Sequence, residues 1–205
     1  MINFVRLKTD LEESKRSLET CHERVAEISK KRPENVVMIG GLHPESEAAR
    51  EELMRLQEKI PALADRVAVL ELLASLVDAL QAYHVHSPGL QMARKNNEPH
   101  LMKEAELLDR RQKLIRRGFE VPTDLVHDLK SASERASRAR EQIASTEKLV
   151  AKTAADVRAA HARLLESDVI KDRRNEPTIK AVLWEGFEVV EALDAAEKQD
   201  TAAAA

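Results

Sequence analysis

A chain of 205 residues sits near the upper size of one ordinary domain, so its length admits either one compact domain or an array of long helices. Aromatic residues make up only 2% of it and charged residues 34%, the balance of amphipathic helices, which excludes a thick aromatic core. The formal net charge of -3 dictates no partner, and the lone cysteine, Cys21, excludes an intramolecular disulfide and points to a reducing compartment.

Phe4, Leu7, Leu11, Ser14, Leu18, Cys21, Val25 and Ile28 recur at alternating spacings of three and four. This predicts a coiled-coil helix over residues 1–32 whose seam awaits another helix, with Ser14 and Cys21 as its soft positions. Met1 to Arg6 runs straight into charge and lacks the apolar core of a signal peptide. Pro33 ends the pattern and opens a linker over 33–44, in which Val36 to Gly41 reads as a short strand or an apolar loop.

A second helix is expected over 45–83, opened by Pro44 with Glu45 and Glu47 at the positive end of the helix dipole. Pro61 falls inside its repeat and predicts a kink, not a break. From Val67 to Leu80 the apolar face widens, so more than one neighbour must cover it. Glu71 and Asp78 interrupt that stretch and rule it out as a membrane span.

Ser87-Pro88-Gly89 marks a connection, and Asn97 before Glu98-Pro99 reads as the cap of a third helix over 98–117. That helix would bury Leu101, Ala105, Leu108 and Ile115 and stop at Gly118. Arg110, Arg111, Lys113, Arg116 and Arg117 crowd its last turns, where cations complement the helix dipole and where phosphate or an acidic partner would also find them.

Thr123 is the expected cap of a fourth helix over 124–168. Its seam joins Leu129, Ala136, Ile143, Val150, Val157 and Leu164 to a second set, Leu125, Ala132, Ala139, Thr146, Thr153 and Ala160. The small residues of the second set ask for a close antiparallel neighbour, for which Val67 to Leu80 is the best candidate. Lys171 to Arg174 reads as a turn. A last helix over 177–194 presents Ile179, Val182, Leu183, Phe187, Val190 and Leu193, with Trp184 as an anchor and 195–205 as a fraying tail. Its acidic strip from Glu185 to Asp200 is a candidate face for the basic cluster, within the chain or between copies.

Chemistry is scarce. Five glycines form no phosphate loop or dinucleotide fingerprint, and Ala26 stands where a zinc-protease helix starting at His22-Glu23 needs its second histidine. Glu19-x-x-His22 and Asp124-x-x-His127 have di-metal spacing but fall off the seams, where solvated surface is the simpler reading. His84 and His86 before the Pro-Gly pair have the spacing to chelate a metal from an extended chain, with only His100 as a further ligand that folding could bring near; a polar helix end and turn is the simpler reading. No catalytic residue, metal or cofactor is assigned.

The fold expected is all-α, an elongated antiparallel helical bundle or coiled coil with long heptad-patterned helices. The function expected is that of a non-enzymatic structural or adaptor protein, self-associating or part of a larger assembly such as a machine or viral particle. It would sit in the cytoplasm, or in a particle assembled there, with protein partners and no membrane. The alternative is a nucleic-acid-associated helical protein using the cluster at 110–117.

Overall fold

The structure, a computed structural model, describes residues 4–31 and 44–203. Every regular element among them is helical: α1 Phe4–Lys31, α2 Pro44–Arg116, α3 Thr123–Glu166, α4 Asp168–Lys171 and α5 Pro177–Ala203. The fold is an all-α helical bundle. Pro33 and the Val36 to Gly41 segment lie outside the described residues, as does the side chain of Phe4. Two compact units divide the chain, the first made of Met1–Asp78 with Ala160–Ala192, the second of Ala79–Ala159 with Leu193–Ala205.

In the first unit, α1 covers its own seam with the chain it belongs to. Leu7, Leu11, Ser14 and Cys21 are buried, and Leu18, Val25 and Ile28 are half-buried. Lys8 Nζ meets Asp78 at 2.6 Å, Lys15 Nζ meets Glu71 at 2.8 Å and Arg24 Nε meets Glu52 at 2.7 Å, so α1 runs antiparallel to α2. These exposed pairs add little stability, and the cohesion comes from the seam between them.

Val67, Val69, Leu73, Leu76 and Val77 are all buried on α2, the widened face that the sequence implies. Its second set of neighbours comes from the C-terminal end of α3 and from α5. A methyl group added at Gly186 of α5 would stand 2.8 Å from His161 Cδ2 and 3.0 Å from Leu76 Cδ2, so only glycine lets the three helices close this far. Between α3 and α5 the chain makes the short α4, where the sequence suggests one helix to residue 168, and then turns at Lys171 to Arg174 as expected. Ile170 is fully buried there, and Arg174 Nη2 donates to the Leu165 carbonyl at 2.5 Å.

His161 is buried at this three-helix junction and shares a hydrogen bond with the Leu183 backbone carbonyl; burial pushes its pKa below the ordinary histidine value. A base with a lowered folded pKa stays neutral while the unfolded chain protonates. Its contribution is therefore intact above about pH 6.5 and declines as pH falls from there toward the lowered folded value. Urea unfolding at pH 7.5 and pH 5.5 should show a loss of stability that His161→Phe reduces; equal losses in both proteins would rule this out.

α2 corrects the expected break. A single helix runs through Ser87-Pro88-Gly89 and Asn97-Glu98-Pro99, where the sequence suggests separate helices over 45–83 and 98–117. Pro61, Pro88 and Pro99 are all exposed, and so are Gln57, His84 and Lys95, whose carbonyls lose their helical donors. On an exposed face those carbonyls are open to hydration, so continuity costs less than a proline in a covered position. Asn97 is no cap. It points inward, and its Nδ2 donates to the Ala93 carbonyl at 2.8 Å and to Gln142 Oε1 at 3.3 Å.

The second unit pairs the later part of α2 with α3, antiparallel. Arg94 meets Glu147 at 2.8 Å, Asn97 meets Gln142, and Glu104 meets Arg140. Ala93, Ala132, Ala136 and Ala139 are buried, so small residues do line a close approach. In this unit the α2–α3 pairing includes Arg94, Asn97 and Glu104 of α2, whereas Leu76, within the expected Val67 to Leu80 partner, lies with His161 of α3 against Gly186 of α5. The expected register of α2 is corrected too: Ala93, Asn97, Glu104 and Leu107 face the seam, whereas Ala105, Leu108 and Ile115 stay exposed. Two polar contacts and the Leu107, Leu125, Ala132 cluster hold this rotation.

Gly118 ends α2 as expected, at φ 74, with Phe119 N donating to the Leu114 carbonyl and Gly118 N to the Ile115 carbonyl, each at 3.0 Å. Thr123 is the first residue of α3 and not its cap. α5 continues to Ala203, past the expected end at residue 194.

Candidate functional site

The residues expected to form a seam for partners are occupied by the chain itself. Leu7, Leu11, Val157 and Leu164 are buried, and Leu18, Val25, Ile28, Leu129, Ile143 and Val150 are half-buried. One exposed apolar patch lies on the outer side of the α2 register that places Asn97 and Glu104 inward.

Leu108 is 46% exposed and Ile115 53%, seven residues apart on one side of α2, with Ala105 beside them. Phe119 in the turn is 61% exposed, and Val126 at the start of α3 is 51% exposed. Between the helices lies an open groove of about 450 Å³ whose apolar lining is Leu108, Val126 and Leu129. Arg111, Lys130, Ser133, Glu104 and Glu134 supply its polar lining. Hydrogen bonds from the Arg140 guanidinium, then from the Ser133 hydroxyl, hold the Glu104 carboxyl below the usual carboxylate range, so it stays ionised at neutral pH.

Arg110, Arg111, Lys113, Arg116 and Arg117 are exposed around this end of α2. Lys113 Nζ meets Asp109 at 2.6 Å within the helix. The acidic strip of α5 does not supply their counter-charges wholesale, because Arg158 takes Asp194 at 2.9 Å and Glu197 at 3.1 Å.

A second exposed feature lies on α5 in the first unit. Trp184 is 61% exposed and Phe187 48%, so neither serves as the buried anchor that the sequence suggests. Their ring centroids are 6.1 Å apart, and Trp184 Nε1 donates to Glu188 Oε1 at 2.8 Å. Ile179 and Val182 face the core instead, and Gly186 fills the close-approach position. Periodicity alone missed this, since a Trp and a Phe beside an apolar stripe read as part of it.

The metal candidates are dispersed. Glu19, His22, Asp124 and His127 are exposed, and the first pair lies in a different unit from the second. His84 and His86 sit two apart on the continuous helix, which points them in nearly opposite directions, and the His84 ring packs edge-on against Tyr83 at 6.0 Å. Among the described residues no group of three or more His, Cys, Asp or Glu side chains gathers to hold a metal. Among them, too, no helix is long and apolar enough to cross a membrane. No protein-family model, curated protein or solved structure matches this chain.

Proposed function

We propose that this chain is a non-enzymatic structural or adaptor protein of the cytoplasm, or of a particle assembled there, that works by helix-to-helix protein contact. It acts by self-association, alone or within a larger assembly, with coiled-coil-like packing at the contact. The supporting observation is the set of Leu108, Ile115, Phe119 and Val126, left in solvent near an open groove while the described heptad residues of α1 and α3 are buried or half-buried. Two antiparallel helices with an apolar flank form a groove shaped for a further helix.

Sedimentation velocity of the wild type across micromolar concentrations tests this reading. Association is expected, and Leu108→Asp with Ile115→Asp should weaken it about tenfold or more without loss of helicity. A wild type that stays a compact monomer throughout overturns the self-association reading.

The alternative, a nucleic-acid-associated helical protein, rests on the exposed Arg110, Arg111, Arg116 and Arg117 beside exposed Phe119. It is the weaker reading because one aromatic side chain offers little base stacking and Glu104 and Glu134 line the same groove.

A further inference from the structure

We infer that the partner of the basic, apolar end of α2 is a second copy of this chain, which presents the Trp184 face of its α5 to form a head-to-tail contact. The inference rests on the self-association reading and adds the identity and polarity of the contact. Each stripe is two helical turns long. Leu108 and Ile115 stand seven apart with Arg111 between them and Arg116 beside Ile115, all exposed. On α5, Trp184 and Glu191 stand seven apart with Phe187 and Glu188 between them, also exposed. The first stripe is apolar flanked by guanidinium groups, the second aromatic flanked by carboxylates.

Charge decides which pairing forms. Two α2 ends placed face to face would bring Arg111 and Arg116 of both copies together, and two α5 faces would crowd Glu188 and Glu191 in the same way; both symmetric pairings are penalised by like charge. The crossed pairing places arginine against glutamate and against the Trp184 ring face, where guanidinium stacking is favourable. Trp and Arg are also the residues that most often anchor protein interfaces. A crossed contact uses two different surfaces on each copy, so it leaves one of each free and propagates into a ring or a filament.

The test is a charge exchange read by sedimentation velocity and light scattering. The wild type should form species that grow with concentration and shrink as salt rises from about 0.05 M to about 0.5 M. Arg111→Glu with Arg116→Glu, and separately Glu188→Arg with Glu191→Arg, should each reduce association about tenfold or more, with unchanged circular dichroism. Mixing these two variants should restore assembly, and the fourfold variant carrying all the exchanges should assemble alone. Association that disappears in the Leu108→Asp, Ile115→Asp variant but is untouched by Glu188→Arg with Glu191→Arg overturns the head-to-tail partner and leaves the self-association reading standing. Failure of both the mixture and the fourfold variant to recover assembly also overturns it. A monomeric wild type overturns both.

Discussion

Leu76→Ala is expected to destabilise the chain by about 2–5 kcal/mol in equilibrium unfolding, because Leu76 is fully buried where α2 meets α3 and α5. The companion change, Gly186→Ala, acts through the opposite error. Its new methyl group would lie 2.8 Å from His161 Cδ2 and 3.0 Å from Leu76 Cδ2, an overpacking that costs about 1–3 kcal/mol. Alanine is otherwise the better helix former, so the effect needs a reference site. Gly89, also inside α2, has nothing within 4 Å of an added methyl, and Gly89→Ala should stabilise by about 0.5–1 kcal/mol. Opposite signs at the two glycines would locate the cost in packing; a stabilised Gly186→Ala would mean that the three helices do not approach this closely. The double variant Leu76→Ala, Gly186→Ala should cost less than the sum of the singles, since removing the leucine methyls vacates part of the space the new methyl needs.

Ile143→Asp should destabilise on the order of 3 kcal/mol, by removing an apolar side chain from the α2–α3 seam and placing a charge there. Arg138→Asp, on the exposed side of the same helix, should change stability by no more than about 0.5 kcal/mol. Similar losses at both positions in a urea titration would show that the covered face of α3 is misassigned. The comparison is informative because Arg138→Asp makes the larger change in both net charge and helix propensity, so neither can account for a larger loss at Ile143.

The covered faces of α1 and α3 were legible because helical burial has a short period and both helices keep one apolar register for their whole length. In α3 both sets of seam residues, from Leu125 to Leu164, turn inward. The extra buried residue His161 was not legible, since it follows from a third helix arriving beside that end. The candidate site was legible in part. The basic cluster from Arg110 to Arg117 was evident, but its apolar half was assigned to the core, because Leu108 and Ile115 fit a helical repeat as well as Leu107 and Leu114 do.

By itself the sequence determined that this chain is all-α, that α1 and α3 each bury one continuous stripe, that Val67 to Leu80 requires several neighbours and that Gly118 ends a helix. Those properties depend on residue spacing and on backbone preference, both local. The tertiary structure alone decided that α2 passes through Pro88 and Pro99, that Asn97 and Glu104 face inward, and that Trp184 and Phe187 face out. Each of these is a choice between alternatives of similar local energy. The prolines and the residues whose carbonyls they orphan lie on an exposed face open to hydration, Gln142 and Arg140 satisfy the inward polar groups, and the close approach at Gly186 faces α5 inward there.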